Sequence, residues 1–494
     1  MKLYLSGNVN PYYVQTFCLI FFPGEKFTVE EEPGAPVLWV DETEDESEVR
    51  VFVRLAYGGK ETCAERALPL GEQTLDRIRK MAVGHAVLSA AGEMMHYRPA
   101  WGMLTGVRPS KIATELLLKG YSKTQVRKTI AANYAVSLKK AALATDVALL
   151  EQKIIGRPDP RDCSVYISIP FCPTRCTYCS FVSYTSKRLL SLIPDYLTLL
   201  CAEVRQKFAT VRELGLRVQS VYIGGGTPTI LTAEQLRILL ETVASCTDVS
   251  ALREYTLESG RPDTIDAEKM EIAKSLGVTR VCVNPQTLCE EVLRGVGRCH
   301  SVEDFYRAYD IVRRTGIHCI NTDLIVGLPG DDFSTFSATF DGILRLAPEN
   351  ITVHTFCVKR AAEILREGKR IYNPRGGDAV KCVDYSQIRA MEENYLPYYM
   401  YRQKNMVGNL ENVGFAKAGT ECLYNIYMME EVHSIFAAGA GAVTKLVDYA
   451  TPDSGKKSDI RRLFNPKYPY EYLESDGGKA QADAITAFYR ERGL

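Results

Sequence analysis

Between Ser164 and about Val358 one pattern recurs six times: a short β-branched run ending in glycine, proline or a polar residue, then a longer stretch with apolar residues at helical spacing. The runs are Ser164 to Phe171, Val218 to Gly226, Glu254 to Gly260, Arg280 to Gln286, Cys319 to Pro329 and Asn350 to Val358. Intervening stretches such as Thr232 to Ser245 and Ser301 to Thr315 open on polar residues, as helices do. Strand and helix alternating over six units demand a parallel sheet with right-handed crossovers, and the natural closure is an α/β fold, a partial (β/α)6 barrel. In barrels of this type the chemistry collects at the carboxyl ends of the strands. The polar residues that end these runs are therefore the first candidates for function.

The first run carries the chain into Tyr166-Ile-Ser-Ile-Pro-Phe-Cys172-Pro-Thr-Arg-Cys176-Thr-Tyr-Cys179. Three cysteines spaced by three and then two residues fit on one loop around one iron–sulfur cluster, giving three thiolates and leaving one iron open to a cofactor. A structural zinc site usually closes with four ligands in two short pairs. Here no second pair follows: Cys163 lies upstream on the far side of the strand, and Cys201 sits inside an amphipathic run.

After the second run, Gly224-Gly-Gly-Thr-Pro-Thr229 lets the backbone approach a ligand closely, although a tight turn alone would use the same residues. Glu258 ends the third run, where it is either a ligand carboxylate or a surface glutamate. Asn284-Pro-Gln286 and Gly297-Arg298-Cys-His300 follow. Asp323 interrupts an otherwise apolar strand, which is costly unless it binds something charged or is hydrogen-bonded. Arg298 can grip a carboxylate in bidentate fashion, or the two can pair with each other. His300, His318, His354 and His433 lack metal spacing and read as core or surface histidines.

At 494 residues, two or three domains are expected. Residues 1–155 read as an α+β domain with strand-like pieces at Tyr12 to Phe22 and Val49 to Ala56. An acidic stretch from Glu42 to Glu48 reads as a solvated face, and helical character runs from Gly71 to Gly92 and on to about Lys153. Residues 156–163 form a linker whose two prolines stop a helix. Residues 164–360 hold the barrel, and 361–494 a smaller, tyrosine- and glycine-rich α/β domain. Lys plus Arg and Asp plus Glu balance at 60 each, so no nucleic-acid footprint is expected. The start Met1-Lys-Leu-Tyr-Leu-Ser-Gly is not a signal peptide, no apolar stretch reaches membrane-spanning length, and the cysteines outside the triplet are scattered singly. A soluble, cytoplasmic protein is the expectation.

The cysteine spacing, with its aromatic before the third thiol, resembles that of the radical S-adenosylmethionine (SAM) enzymes. From Tyr166 through Cys357 the chain resembles the oxygen-independent coproporphyrinogen III oxidases (coproporphyrinogen dehydrogenases), and over its whole length their HemZ branch. That resemblance implies a 4Fe–4S cluster on Cys172, Cys176 and Cys179, with SAM chelating the open iron and cleaved to a 5′-deoxyadenosyl radical. It implies Tyr166 as the catalytic residue, with Tyr166, Gly225 and Glu258 contacting the SAM on the cluster. Tyr178, Gly226, Thr227, Gln286, Arg298, Asp323 and Cys357 match positions that hold a second SAM. Phe436-Ala-Ala-Gly-Ala-Gly-Ala-Val443 resembles the family's glycine-rich C-terminal strand, which sets Val443 against the first adenosyl group and makes residues 361–494 a HemN-like domain.

The implied reaction converts two propionates of coproporphyrinogen III to vinyls, releasing two carbon dioxide molecules and giving protoporphyrinogen IX. The radical takes a β-hydrogen; loss of carbon dioxide and of one electron to an acceptor leaves the vinyl. An electron donor such as flavodoxin or ferredoxin is implied as partner. The protein must supply orientation and a cationic clamp for the propionates, with Arg261, Lys359, Arg360, Arg402 and Lys404 as candidates. Two positions depart from the dehydrogenases proper, which carry histidine where Ser168 stands and cysteine where Phe181 stands, one residue past Ser180. The run from Asn412 to Tyr427 also resembles the haem-trafficking HemW relatives. Those carry histidine and tryptophan where this chain has Tyr424 and Met428, so their evident axial haem ligand is missing. A HemN-like radical SAM methyltransferase or cyclopropanase would use the same two-SAM arrangement.

Overall fold

The computed structural model describes the whole chain except residues 72, 107, 180, 358–376, 404–405, 452–457 and 494. The described residues form two compact units. One comprises residues 1–148, 377–381 and 400–411 except those just named; the other comprises the rest.

The first unit carries a four-stranded sheet, β1 (Lys2–Ser6), β2 (Val37–Glu44), β3 (Glu48–Tyr57) and β4 (Lys60–Pro69), in that order. Strand β3 alternates strictly, burying Val49, Val51, Val53 and Leu55, as a half-covered antiparallel strand should. Tyr12 to Phe22, expected as a strand, falls in the helix Pro11–Phe21. Asn10 accepts from the Tyr13 N–H at 3.1 Å and Pro11 occupies the first turn, two helix-start signals that outweigh the β-leaning composition. Val14, Phe17, Cys18 and Phe21 form its buried face. The acidic stretch is not wholly solvated either, because Glu42 is buried, accepting from Arg79 Nε at 3.1 Å and the Asn8 N–H at 2.6 Å. Deep in this unit, Glu411 accepts from Trp101 Nε1 and from Lys140 Nζ, each at 2.6 Å. Arg402 lies over the Trp101 ring and donates to the Leu104 and Asn409 carbonyls. Arg402 is only 2% exposed, which corrects its reading as a propionate clamp: it is committed to the core of this unit.

In the second unit all six expected runs are strands: β5 (Asp162–Ile169), β6 (Arg217–Gly225), β7 (Glu254–Glu258), β8 (Arg280–Cys282), β9 (Cys319–Val326) and β10 (Asn350–Thr355). Each pairs in parallel with the next. Helices such as Ala233–Cys246 and Val302–Thr315, opened by capping boxes at Thr232 and Ser301, make the crossovers. The remaining strands are β11 (Leu396–Tyr401), β12 (Asn412–Ala416), β13 (Ser434–Ala438), β14 (Val443–Asp448) and β15 (Asp459–Phe464). They do not stand apart as a separate layer. Strand β12 runs antiparallel beside β10, β13 runs parallel beside β5, and the sheet continues to β11 on one side and to β14 and β15 on the other. The six-stranded barrel is therefore partial, flanked at both edges by C-terminal strands.

Val165, Ile167, Val221, Ile223 and Leu257 are fully buried and alternate with a polar set on the same strands, as the two-residue period of a strand requires. Ser164 and Ser220 meet at 2.8 Å with His433 joining at 2.9 Å, Glu254 meets Arg280, and Thr352 donates to Asn321 at 3.2 Å. These inner positions carry hydrogen-bonded polar side chains in place of the branched aliphatics common in barrel interiors. Among the described residues no helix is long and apolar enough to cross a membrane.

Candidate active site

Because the strands run parallel, their carboxyl ends share one face, and the candidate residues come from all six. Strand β5 delivers Tyr166 and then the cysteine loop, which is held at several points. Cys172 N–H donates to the Tyr184 carbonyl, Thr177 N–H to Val296, and Cys179 N–H to Cys176, at 3.0 to 3.1 Å. Thr227 N–H donates to the Phe171 carbonyl at 2.8 Å, and the Thr227 hydroxyl lies 3.3 Å from Cys172 Sγ. Burial pushes the Cys172 and Cys179 thiols up. No three Cys, His, Asp or Glu side chains among the described residues converge as they would around one ion.

The glycine run fits the same cradle. A Cβ on Gly226 would lie 2.5 Å from the Phe171 carbonyl oxygen and 2.9 Å from Cys172 Sγ; one on Gly225, at φ +113°, would meet the Ile169 oxygen at 2.9 Å. Only glycine lets β6 approach the cysteine loop this closely. Beside it stands Glu258, whose carboxyl burial and then the nearby Asp323 charge push up to about 8, against the pull of the Gly225 N–H.

Asn284 ties the next two strands together. Its side-chain amide donates to Asp323 at 2.8 Å, while its main-chain carbonyl accepts from Arg298 Nη1 at 3.1 Å. Asp323 also accepts from Asn321 at 2.8 Å and faces His354 Nε2 at 3.8 Å. Burial raises its carboxyl, but the His354 hydrogen bond and charge, with Asn321 and Thr352, more than offset that and leave it below the usual range. Arg298 donates to the Gly260 carbonyl at 3.1 Å and to the Tyr178 hydroxyl at 3.2 Å. Thus Asp323 and Arg298 are satisfied separately, with Asn284 between them. Gln286 holds φ +69° and leaves its buried side-chain oxygen without a partner. A strained backbone and an orphaned acceptor at a strand end mark a place for a donor from outside the protein. Cys357 follows β10. Val443 opens β14, one strand beyond β13, and pairs with Phe464.

Four features escape a motif reading. Tyr166, Tyr222 and Tyr424 stack in one group, with ring centroids 4.5 to 6.1 Å apart and planes within 28°. Tyr222 was legible as an inward position on β6, whereas Tyr424 comes from the C-terminal segment and only the fold brings it there. His354 alternates with Asn350 and Thr352 along β10, the signal that could have placed it on the inner face. Arg261, expected to clamp propionates, instead pairs with Asp263 at 3.1 and 3.2 Å and donates to the Thr174 carbonyl and, at 3.9 Å, to Cys176 Sγ. Lys359, Arg360, Lys404 and Ser180 lie outside the described residues. Ser168 donates to the Ala440 carbonyl at 3.0 Å, and Tyr196 bridges the Ser168 carbonyl and the Ala440 N–H, so the C-terminal glycine-rich turn is fastened to β5. Phe181 is 70% exposed.

Residues 166–343 match the family model of the Radical SAM superfamily. The chain is 39% identical over 380 residues to the oxygen-independent coproporphyrinogen-III oxidase-like protein HemZ of Bacillus subtilis, covering 76% of this chain and 74% of that protein. It is 30% identical over 282 residues to the heme chaperone HemW of the same organism, covering 56% and 70%. A solved structure of Escherichia coli HemN, a coproporphyrinogen III oxidase and radical SAM enzyme, aligns with a TM-score of 0.47 at 20% identity, covering 60% of this chain and 67% of that one.

Proposed function

We propose a function from one premise: the chain belongs to the radical SAM family of oxygen-independent coproporphyrinogen-III oxidase-like proteins typified by HemZ. A 4Fe–4S cluster and SAM are the cofactors of such a protein. Within that family, we infer the oxidative decarboxylation of two propionates of coproporphyrinogen III to vinyls, giving protoporphyrinogen IX. Cys172, Cys176 and Cys179 hold the cluster. The bound cluster and SAM together supply a 5′-deoxyadenosyl radical for hydrogen abstraction.

The chain's own residues do the rest. Gly225, Gly226 and Thr227 press the backbone against the cysteine loop and present main-chain groups to the methionine end of SAM. Glu258 and Tyr166 face the same space, with Val443 on the adenosyl side. Tyr178, Gln286, Arg298, Asp323 and Cys357, together with Gly226 and Thr227, outline a second SAM position, in which the unpartnered Gln286 oxygen awaits a donor. An electron donor of the flavodoxin or ferredoxin kind starts each turnover, and an electron acceptor takes the one electron that the substrate radical loses with carbon dioxide.

One observation carries the choice of the decarboxylase over the haem-carrier reading. Tyr424, at the position where the carrier relatives have histidine, is 6% exposed and packed against both Tyr166 and Tyr222. A phenol locked in that stack lines the barrel interior and offers no imidazole to a haem iron. Anaerobic, cluster-reconstituted protein given SAM, a reductant and coproporphyrinogen III should yield protoporphyrinogen IX, followed by chromatography and mass spectrometry. SAM cleavage with the tetrapyrrole returned unchanged, alongside tight haem binding, would overturn the reading in favour of the carrier.

A further inference from the structure

The helix Ile193–Glu213 turns two polar groups inward, Tyr196 and, two turns on along the same face, Glu203. They are 0% and 1% exposed, and burial keeps the Tyr196 phenol protonated, well above its ordinary value. Its single oxygen makes two bonds of 2.8 Å: it donates to the Ser168 carbonyl and accepts from the Ala440 N–H. The ring stands edge-on to Phe171, with centroids 5.1 Å apart, and lies 5.0 Å from Tyr472. Phe171 directly precedes Cys172. One phenol thus joins β5, the residue ahead of the first cysteine, and the turn between β13 and β14.

That turn can come no closer. Gly439 holds φ +98°, and a Cβ there would lie 2.5 Å from the Ser168 carbonyl oxygen and 2.6 Å from the Tyr196 hydroxyl. Glu203 fixes the same turn, its carboxylate accepting from the Gly439 N–H at 2.9 Å and from the Tyr472 hydroxyl at 2.6 Å. The Asn465 amide bridges that carboxylate and the Gly439 carbonyl, each at 2.9 Å. Lys207, 3.7 Å from Glu203, offsets its charge and donates to Gln481 at 2.7 Å. A buried network whose members are all partnered is stiff. On the opposite flank of β5, the Ile169 carbonyl accepts from the Gly226 N–H at 2.7 Å. The exit of β5 is therefore clamped between two glycine turns, 224–226 and 439–441, just before the cysteines.

We propose that Tyr196 is a positioning residue for SAM. Sealed from solvent, it touches no ligand; it locks the turn 439–441 to β5, so that Val443 beyond the turn and Tyr166 ahead of Ser168 keep their spacing about the adenosyl group. The inference rests on the reading of this face as a SAM site and adds to it a residue that the ligand does not reach.

SAM affinity tests it, by titration calorimetry on the full chain with its cluster reconstituted anaerobically, read beside the iron–sulfur absorbance and the thermal midpoint. Tyr196→Phe keeps the ring and removes only the hydroxyl; it should retain the absorbance and weaken SAM binding about tenfold. Asn465→Ala, which releases the Gly439 carbonyl, should weaken binding in the same direction and decides the matter if Tyr196→Phe fails to fold. Tyr395→Phe is the matched control: it loses a buried phenol bond of 2.6 Å to the Pro348 carbonyl, where β10 begins, so it should lower the midpoint and leave SAM affinity alone. SAM affinity unchanged in Tyr196→Phe, or weakened equally in Tyr395→Phe, would make Tyr196 a stabilising residue only and overturn the proposal. Wild-type protein that holds its cluster and binds no SAM would overturn the reading of the site, and the proposal with it.

Discussion

Glu258 should release a proton when SAM binds. Its carboxyl lies at about 8 against an ordinary 4.5, with burial the larger cause and the Asp323 charge the second. At pH 7 about nine-tenths of ligand-free molecules therefore carry the proton, since a one-unit gap is a tenfold ratio. The sign follows from linkage. A group raised in the folded state contributes fully below the unfolded value of 4.5 and loses that contribution as pH climbs through about 8, so the ligand-free fold weakens over this window. SAM brings a sulfonium cation into the enclosed space beside the carboxyl, and a nearby positive charge favours the carboxylate.

Binding at pH 7 should thus expel up to about 0.9 proton, and affinity should climb with pH between 6 and 8, by at most about tenfold per unit, before levelling off above 8. Calorimetry in two buffers of different ionisation enthalpy reads the proton count directly. S-adenosylhomocysteine, which lacks the sulfonium charge, should release fewer protons, and Glu258→Gln should release fewer than wild type by up to about 0.9 proton, leaving only what the amino group of SAM gives up on chelating the iron. Equal release by wild type and Glu258→Gln, or a pH-independent affinity with no proton release, would refute the reasoning.

Three further outcomes follow from neighbouring contacts. Gly226→Ala should cost the protein its iron–sulfur absorbance while circular dichroism stays native, because the added Cβ would sit 2.5 Å from the Phe171 carbonyl oxygen and displace the Cys172 loop. Arg261→Met removes a cation and a hydrogen bond from the Cys176 sulfur, so an EPR-monitored titration should find the cluster's midpoint potential more negative; Asp263 can turn to water and the fold should persist. Glu254→Ala strands the buried Arg280 charge and two helix-start N–H groups, and chemical denaturation should show a loss of about 3–5 kcal/mol in the barrel unit.

The barrel was legible because its signal is local. Each β-branched run and each polar helix start can be read within about ten residues, and the cysteine triplet sits on one loop. What stayed hidden depends on chain returning from far away. Tyr12 to Phe22 looked like a strand on composition, and the cap at Asn10 and proline at 11 decided otherwise. Arg261 and Arg402 looked alike as candidate clamps, yet one is committed to Asp263 and the cysteine loop and the other to the core around Trp101. Nothing in a basic residue's neighbours reveals which acceptors the fold will bring to it. Likewise Gln286 reads as an ordinary polar residue until the structure shows its φ of +69° and its orphaned oxygen.

The same reasoning bears on why a tyrosine stands at 424. Glu254 takes the N–H groups of Leu423 and Tyr424, and Arg280 takes the carbonyls of Thr420 and Glu421, so the segment is pinned at the base of the barrel from both of its hydrogen-bonding sides. Pinned there, the side chain at 424 is delivered into the interior, where Tyr222 lies 4.5 Å away and Tyr166 5.9 Å away. Tyr166 lies on the strand that carries the cysteine loop, and burial holds all three phenols protonated far above neutrality. Stacked neutral rings make a stiff, uncharged wall beneath the reacting face. A histidine at 424 would bring a titratable ring into that wall, where burial would hold it neutral and able to accept a metal. At this one position, delivered by a segment whose placement depends on Glu254 and Arg280, a tyrosine therefore gives the interior an uncharged ring where a histidine would give it a metal-accepting nitrogen.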